Sequence, residues 1–243
     1  MKDWLIRAIV LVAVLEIVYL GVVNLALNMP WTQTLINQYK PEKFAVHWEH
    51  AWSWYPFRVQ AHAISANGQS RSQQWELEAP AASGSISVLP LLQRSVNIRH
   101  VAAQDIVYHQ RPRPKPDKDY AETRQFFPVI KDRPPQNTYV TPVAAEKFAT
   151  SATAPKKKGQ PWKINLTDAR AQGRHRIWIY QVKGAFQGEL QTDLTYQTRR
   201  GPLSLSNGEV DLKLDSLVID GDREVASNGH LKGSVEMTPF CAI

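Results

Sequence analysis

One long apolar run near the N-terminus constrains this chain more than any other feature. Residues 8–27 read AIVLVAVLEIVYLGVVNLAL, an almost unbroken apolar segment. A helix that rises about 1.5 Å per residue would carry these residues across about 30 Å, the thickness of the hydrocarbon core of a bilayer. Trp4 and Trp31 flank the run, where indole rings favour the headgroup region. We therefore predict a transmembrane anchor over residues 8–28.

A cleaved secretory signal is the alternative to an anchor. Signal peptides have an apolar region of about 7–15 residues, followed by a cleavage site with small residues. Here the run is longer, and it continues into NLALNMP at residues 24–30, which contains no such site. An uncleaved, single-pass anchor is the favoured interpretation.

The distribution of charge predicts how the anchor is oriented. Residues 1–7 form a short tail that carries Lys2 and Arg7, and the next basic residues are Lys40 and Lys43. The positive-inside bias places this tail in the cytoplasm, so the long body is the part that crosses the membrane.

Two polar residues, Glu16 and Asn24, interrupt the apolar run. A carboxylate in the middle of a membrane helix costs about 2.5–3.5 kcal/mol on insertion scales unless it is protonated or paired. Asn24 lies eight residues further on and shares a helix face with Glu16. Two interpretations of Glu16 stay open: contact with another membrane helix, or toleration of one neutral glutamic acid by its apolar neighbours.

Charge and cysteine content restrict the classes of partner and site. The 243 residues have a formal net charge of +7, and residues 1–29 are neutral, so the excess belongs to the exported body. A basic body beside a membrane suggests attraction to anionic lipid, although a basic excess also serves solubility. The anchor argues against a nucleic-acid partner. With Cys241 as its one cysteine, the chain can form no intramolecular disulfide and no cysteine-based metal site.

The first part of the body is predicted to be helix followed by strands. Residues 29–43 are expected to form a juxtamembrane helix that closes at Pro41. From residue 44 to residue 110, apolar and polar residues alternate in short pieces, which indicates four or five strands with one apolar face each. Turns are expected at sequences such as Ala66-Asn67-Gly68.

A Pro/Lys-rich connection, residues 111–161, separates this part from a second β segment. Proline removes backbone donors and charge solvates the backbone, so no sheet is predicted there. Within it, residues 120–130 are expected to form a short helix that docks Phe126 and Phe127. Residues 162–243 resume the alternation, and turn signals divide them into about six strands. These signals are Gly173, Lys183-Gly184, Arg200-Gly201-Pro202, Asn207-Gly208, Asp220-Gly221-Asp222 and Asn228-Gly229. The predicted fold is mainly β: one transmembrane helix, then antiparallel meandering sheet in one or two pieces.

No catalytic motif is present. The chain has no nucleophile elbow, no phosphate-binding loop, no zinc-protease signature and no dinucleotide fingerprint, and its seven histidines are scattered. We therefore predict no catalytic residues, no metal site and no cofactor. The aromatic cluster at Trp48, Trp52 and Trp54 has two interpretations: the rings seat the first strand on the bilayer or plug the near end of the sheet, or they pack in a core.

The order of these features resembles the N-terminal region of the AsmA-like proteins of Gram-negative envelopes, which are related to bridge-like lipid transfer proteins. The resemblance is carried by the anchor, the short helix, WEHAWSWYPFRVQAHAISANG, and the strands around the proline-broken element LPLLQR. It covers residues 1–110 best and residues 162–237 more loosely.

The resemblance implies an inner-membrane protein whose periplasmic sheet curls into a groove and which serves phospholipid transport or homeostasis, without catalytic residues. A sheet with one apolar face either packs a core or lines a trough for acyl chains. Expected partners are membrane lipid and, through the transmembrane helix or a sheet edge, other envelope proteins. The lipid-facing candidates are Val59, Ala61, Leu77, Ile98, Leu194, Leu212 and Leu214.

The chain departs from this family in length. Ten strands spaced about 4.8 Å apart give a trough of about 50 Å, too short to cross a periplasm alone. Three interpretations stay open: a minimal member of the family, a truncated product, or a subunit that hands lipid onward. A non-catalytic scaffold without a lipid ligand is the competing hypothesis. An anchored hydrolase would require carboxylates from strand ends to meet in a cleft.

Overall fold

The computed structural model describes residues 2–38, 43–55, 57–70, 72–87, 89–113, 120, 122–131, 133, 161–198 and 202–240. Two helices, α1 (Lys2–Asn28) and α2 (Pro30–Gln38), precede the strands. Among these residues, one helix, at Asp3–Asn28, is long and apolar enough to cross a membrane, and its surface is almost entirely exposed. It contains the predicted anchor. Of the predicted juxtamembrane helix, α2 covers residues 30–38, and residues 39–42 lie outside the described part.

Ten strands follow and form one sheet. The order across the sheet is β1-β3-β4-β5-β7-β8-β9-β10; β2 pairs with β3, and β6 pairs with both β4 and β7. The mainly β prediction is confirmed, and the two β segments belong to one sheet. The strands are β1 (Phe44–His47), β2 (His50–Tyr55), β3 (Arg58–Gln69), β4 (Gln73–Ser87), β5 (Ser95–Gln104), β6 (Val107–Pro112), β7 (Lys163–Ile179), β8 (Val182–Gln197), β9 (Leu203–Ile219) and β10 (Arg223–Phe240).

The sheet has eight positions, because two of them are filled by broken strands. β1 and β2 lie end to end along β3, and β5 and β6 lie end to end between β4 and β7. The second break falls at Asp105, whose φ of 47° is incompatible with a regular strand.

The sheet is mixed, which differs from the predicted antiparallel meander. β5 and β6 run parallel to β7, with Ile98 opposite Leu166 and Tyr108 opposite Ile177. A parallel pair needs a long crossover, and the proline-rich connection is long enough to bring the chain back from the end of β6 to the start of β7. The remaining pairs are antiparallel. Curling of the sheet into a groove stays a prediction.

The second β segment contains four long strands rather than six short ones. β7 to β10 have 16 to 18 residues each. Gly173, Asn207 and Asn228, which were predicted as turns, lie inside these strands with φ values of 105°, 51° and 55°. Glycine and asparagine accept the left-handed region at an irregular position inside a strand as readily as in a hairpin turn, so the prediction of turns there was wrong. Likewise, Ala66-Asn67-Gly68 lies within β3.

Part of the connection crosses one end of the sheet. We call residues 122–131 and 133 the strap; it contains a 3-10 turn at Arg124–Phe126 instead of the predicted helix. The Trp178 indole donates to the Phe126 carbonyl at 3.0 Å, and the Arg133 guanidinium donates to the Asn67 amide oxygen at 2.9 Å. The strap therefore reaches from β7 to β3.

Side-chain amides from both helices bond to the outer edge of the sheet. Three asparagines each donate to a backbone carbonyl and accept from the backbone N–H of the same strand residue, as a neighbouring strand would. We call this set the amide ladder; it satisfies an edge that would otherwise be open. The pairs are Asn24 with Ser53, Asn28 with Ala51, and Asn37 with Val46.

Asn24 is the buried member of the ladder. Its Nδ2 donates to the Ser53 carbonyl at 3.1 Å, and its Oδ1 accepts from the Ser53 N–H at 2.7 Å. Asn24 therefore contacts the chain's own sheet. Glu16, the other polar residue of the run, is exposed on the surface of α1.

Replacing Asn24 by leucine should loosen the edge of the sheet. The substitution leaves the buried N–H and C=O of Ser53 without their partners, at about 1–3 kcal/mol for each group. Hydrogen exchange of the full chain in detergent micelles should show a faster Ser53 amide. Leu25→Ala, on the exposed side of the same helix, serves as the control. An unchanged Ser53 exchange rate in Asn24→Leu would contradict the assignment.

Candidate functional site

The strand register arranges apolar residues into rows that cross the sheet. Residues directly opposite each other on neighbouring strands point to the same face, so a row shares a face. One row runs through Ile86, Ile98, Leu166, Leu194, Leu205 and Met237. Parallel to it are Val96-Ile164-Tyr196-Leu203, Ala171-Leu190-Val210 and Ala66-Leu77-Tyr108-Ile177.

The rows between them are polar. Gln172, Glu189, Asp211 and Lys232 form one, and Arg174, Gln187, Lys213 and His230 form another. Because side chains alternate along a strand, these rows lie on the opposite face. We call the two surfaces the apolar face and the polar face.

Among the described residues, no second layer packs against the apolar face. The leucines of this face on β7, β8 and β9 are half-buried, and Leu231 on β10 is 61 % exposed. A sheet that packs on another layer would bury most of these side chains. In the part of the chain that the structure describes, the buried apolar side chains are Ala51, Ala79, Pro112, Phe127, Pro128, Ile130, Ala171 and Val210.

Two glycines of the apolar face leave room for aromatic rings at the end of the sheet where β3 ends. A Cβ on Gly184 would lie 2.5 Å from the Phe186 ring, and a Cβ on Gly68 would lie 2.6 Å from the Trp75 ring. The rings therefore cover backbone at these positions, and any larger residue would displace them. The rings of Phe186 and Trp75 therefore form part of the apolar surface at this end.

The structure brings most of the predicted lipid-facing residues onto one surface. Ile98 and Leu194 belong to the same row, and Leu212 lies opposite Leu231 on β10. Leu214 lies opposite Phe186, and Leu77 opposite Tyr108. The last two, Val59 and Ala61, lie on β3 opposite Gly84 and Ala82. All seven are half-buried.

Tyr108 is a polar group within the apolar face. Burial raises the pKa of its phenol, and the nearby Tyr180 adds to the rise. The hydroxyl donates to the Gln110 side-chain oxygen at 2.7 Å. Tyr108 therefore stays neutral at physiological pH and adds no charge to this surface.

The strap packs on the polar face, through Asn67, Arg111 and Trp178. The guanidinium of Arg111 donates to the Gln74 side-chain oxygen at 2.9 Å and to the Pro128 carbonyl at 3.2 Å. Burial lowers the pKa of Arg111, and the Glu76 carboxylate opposes this fall. The strap thus covers the polar face at the end formed by β6 and the start of β4, and none of its described residues packs on the apolar face there.

An ion cluster stands on the exposed polar face of β9 and β10. Asp211 accepts hydrogen bonds from His230 at 2.7 Å and from Lys232 at 2.9 Å. These two bonds lower the pKa of Asp211 to about 2. The cluster keeps the outer part of the polar face charged, in contrast to the surface behind it.

A cavity of about 1100 Å³ also involves the polar side, next to the strap at Lys131. Its charged lining mixes acids and bases: Glu78, Asp105, Asp215, Lys131, Arg174 and Arg176. The carboxylate of Asp105 accepts from the Arg174 backbone N–H at 2.7 Å. Within the described ranges, no group of three or more metal-ligating side chains is present. The cleft does contain carboxylates, but equal numbers of cations surround them.

The predicted interface tryptophans lie around α1 and β2. Trp4 and Trp31 are exposed on the helices, and the Trp48 indole donates to the Leu27 carbonyl at 2.9 Å. Trp52 and Trp54 are exposed and form an edge-to-face pair with ring centroids 5.4 Å apart. Core packing of these two rings is therefore wrong.

Three helix residues that position the sheet were missed by sequence reasoning: Tyr19, Asn28 and Asn37. A signal for them was present, because Asn24 and Asn28 are four residues apart and share a helix face. Asparagines repeated on one face of an apolar helix indicate a polar partner.

Comparisons with protein-family models, with curated proteins and with solved structures found no match. The resemblance to AsmA-like proteins therefore stays a prediction.

Proposed function

We propose that this chain is a membrane-anchored, non-enzymatic protein that holds lipid acyl chains against the apolar face of its sheet. In this proposal α1 crosses the inner membrane once, the tail is cytoplasmic, and the sheet lies in the periplasm. The protein would take part in phospholipid transfer or maintenance of the envelope.

The observation that carries the proposal is the set of apolar rows that remain half-exposed. Exposing to water an apolar surface that crosses the sheet is energetically unfavourable. Large exposed apolar patches mark sites of binding to proteins, membranes or ligands. Acyl chains suit this surface, because its rows cross several strands and consist of uncharged side chains. The helix ties the same sheet to a bilayer, which is a source of such chains.

The reach of a single copy limits its role. Eight strand positions with seven spacings of about 4.8 Å give a width of about 34 Å. One copy would therefore receive or hand over lipid near the membrane rather than carry it across a periplasm.

Photo-crosslinking tests the proposal at single-residue resolution. A benzophenone amino acid at Leu212 or Leu214 should crosslink to phospholipid when the full chain is expressed in a Gram-negative host. The matched control is Lys213, which lies between them on the polar face. Equal crosslinking at all three positions, or none at any of them, would contradict lipid binding on the apolar face.

The open edge of β10 favours a second candidate, a scaffold without a lipid ligand. β10 pairs with β9 and has no partner on its other side among the described strands. Such an edge can accept a strand from another protein. In that case the purified protein would be empty of lipid, and crosslinks would concentrate at β10 and join it to protein.

A further inference from the structure

The turn between β2 and β3 lies beside the middle of α1. The Tyr19 hydroxyl accepts a hydrogen bond from the Phe57 N–H at 3.0 Å and lies 3.1 Å from the Ser53 hydroxyl. Tyr19 precedes Asn28, the end of α1, by nine residues, which corresponds to about 13 Å along a helix axis. The sheet therefore extends alongside the apolar helix instead of starting where the helix ends.

A second apolar element lies at the same end of the sheet. The Ile86 N–H donates to the Phe57 carbonyl at 2.8 Å, so the end of β4 adjoins the β2–β3 turn. A 3-10 turn, Leu89–Gln93, follows, and Leu89 and Leu92 are 80 % and 85 % exposed. We call the exposed apolar side chains of these two elements the rim: Trp52, Trp54, Tyr55, Phe57, Leu89 and Leu92.

Basic residues adjoin both elements of the rim. Arg58 follows the first element and Arg94 follows the second, while residues 52–58 and 89–94 contain no aspartate or glutamate. The carbonyl of Arg94 accepts from the Lys163 N–H at 3.0 Å, which places a third basic residue beside them. Anionic headgroups attract basic residues in this position.

We infer that the rim is inserted into the bilayer leaflet that surrounds the C-terminal half of α1. The inference rests on the proposed anchoring of α1, because the hydrogen bonds at Tyr19 fix the rim relative to that helix. Tryptophan, tyrosine and leucine next to arginine are the residues that an interfacial segment uses. Ile86 begins an apolar row at this end, so an acyl chain can pass from the leaflet to the apolar face without crossing water.

Depth-dependent quenching tests the inference with the full chain in phosphatidylcholine–phosphatidylglycerol vesicles. In a Cys241→Ser background, the variants Leu89→Cys and Leu92→Cys carry an NBD fluorophore, and doxyl-labelled phosphatidylcholine is the quencher. We expect a blue-shifted emission and a clear loss of fluorescence at both positions. Val129→Cys is the matched control, since Val129 is also 80 % exposed but belongs to the strap at the other end; it should keep its fluorescence.

Two further variants separate the ways in which the inference can fail. Leu15→Cys reports on α1 itself: quenching there without quenching at Leu89 and Leu92 would overturn rim insertion and leave the anchor intact. No quenching at Leu15 would overturn both. If adding Leu212→Asp removed the quenching at Leu89, the quencher would be lipid held by the sheet, and insertion would again be wrong. Quenching at Val129 would mean that the sheet lies flat on the bilayer, which also contradicts the inference.

Discussion

If lipid binds as proposed, Leu212→Asp should strongly reduce the phospholipid that we expect to co-purify with this protein. Leu212 lies on the apolar face between Gly188 and Leu231. An aspartate in contact with hydrocarbon costs about 3 kcal/mol, which weakens binding on the order of a hundredfold. Mass spectrometry of lipid extracted from the purified full chain measures the effect. The helix, the rim and the strap are untouched by this change.

Lys213→Asp is the control for this experiment. Lys213 is the next residue, has an exposed side chain and belongs to a polar row, so the variant should retain its lipid. Circular dichroism of both variants verifies that the sheet is still folded. Retention of lipid by a folded Leu212→Asp variant would be incompatible with acyl chains on the apolar face.

Ile130→Ala is expected to cause the largest loss of stability. Ile130 in the strap is 1 % exposed. Removing a buried isoleucine side chain costs about 2–5 kcal/mol, because the transfer free energy is lost and a cavity remains. This is a large part of the total stability of a domain. Urea unfolding of the full chain in detergent micelles, followed by tryptophan fluorescence, should show a clear fall in the midpoint.

The residue before it provides the comparison. Val129 is 80 % exposed, so Val129→Ala should change the free energy of unfolding by no more than about 0.5 kcal/mol. If both variants unfolded at the wild-type urea concentration, the strap would contribute nothing to the stability of the sheet, and its docking on the polar face would be in error.

The apolar face was predictable from the sequence because its signal is local. Alternation with a period of two assigns Leu194, Leu212 and Leu214 to one side of their strands without knowledge of the partner strands. The pairing of Ile98 with Leu166 was not predictable in this way. It joins residues on opposite sides of the proline-rich connection, and nothing in either strand encodes a parallel neighbour.

Residues with positive φ inside strands were mistaken for hairpin turns, and the reason is physical. Asn207 and Asn228 adopt positive φ values inside long strands, and the same backbone conformation occurs in hairpin turns. What distinguishes the two cases is whether the chain continues along its neighbour, which depends on the length of that neighbour. Two signals do fall where the chain reverses: Asp220-Gly221-Asp222 between β9 and β10, and Arg200-Gly201-Pro202 in the segment between the antiparallel strands β8 and β9.

The partner of Asn24 was hidden for a related reason. An asparagine in an apolar helix predicts a polar contact, but the sequence does not say whether a second helix or a strand supplies it. Here the strand is β2, which follows after fewer than thirty residues. Because β2 follows α1 so closely in sequence, the chain itself provides the hydrogen-bond partner of the Asn24 side chain, which would otherwise have to come from another protein.

The amide ladder also restricts how copies of this protein can associate. With one flank of the sheet occupied by its own helices, β10 is the one flank among the described strands on which a foreign strand can be added. In a dimer formed through β10, the free edge strand of each molecule would be paired with that of the other. Self-association by this route ends at a pair and cannot grow into a fibril.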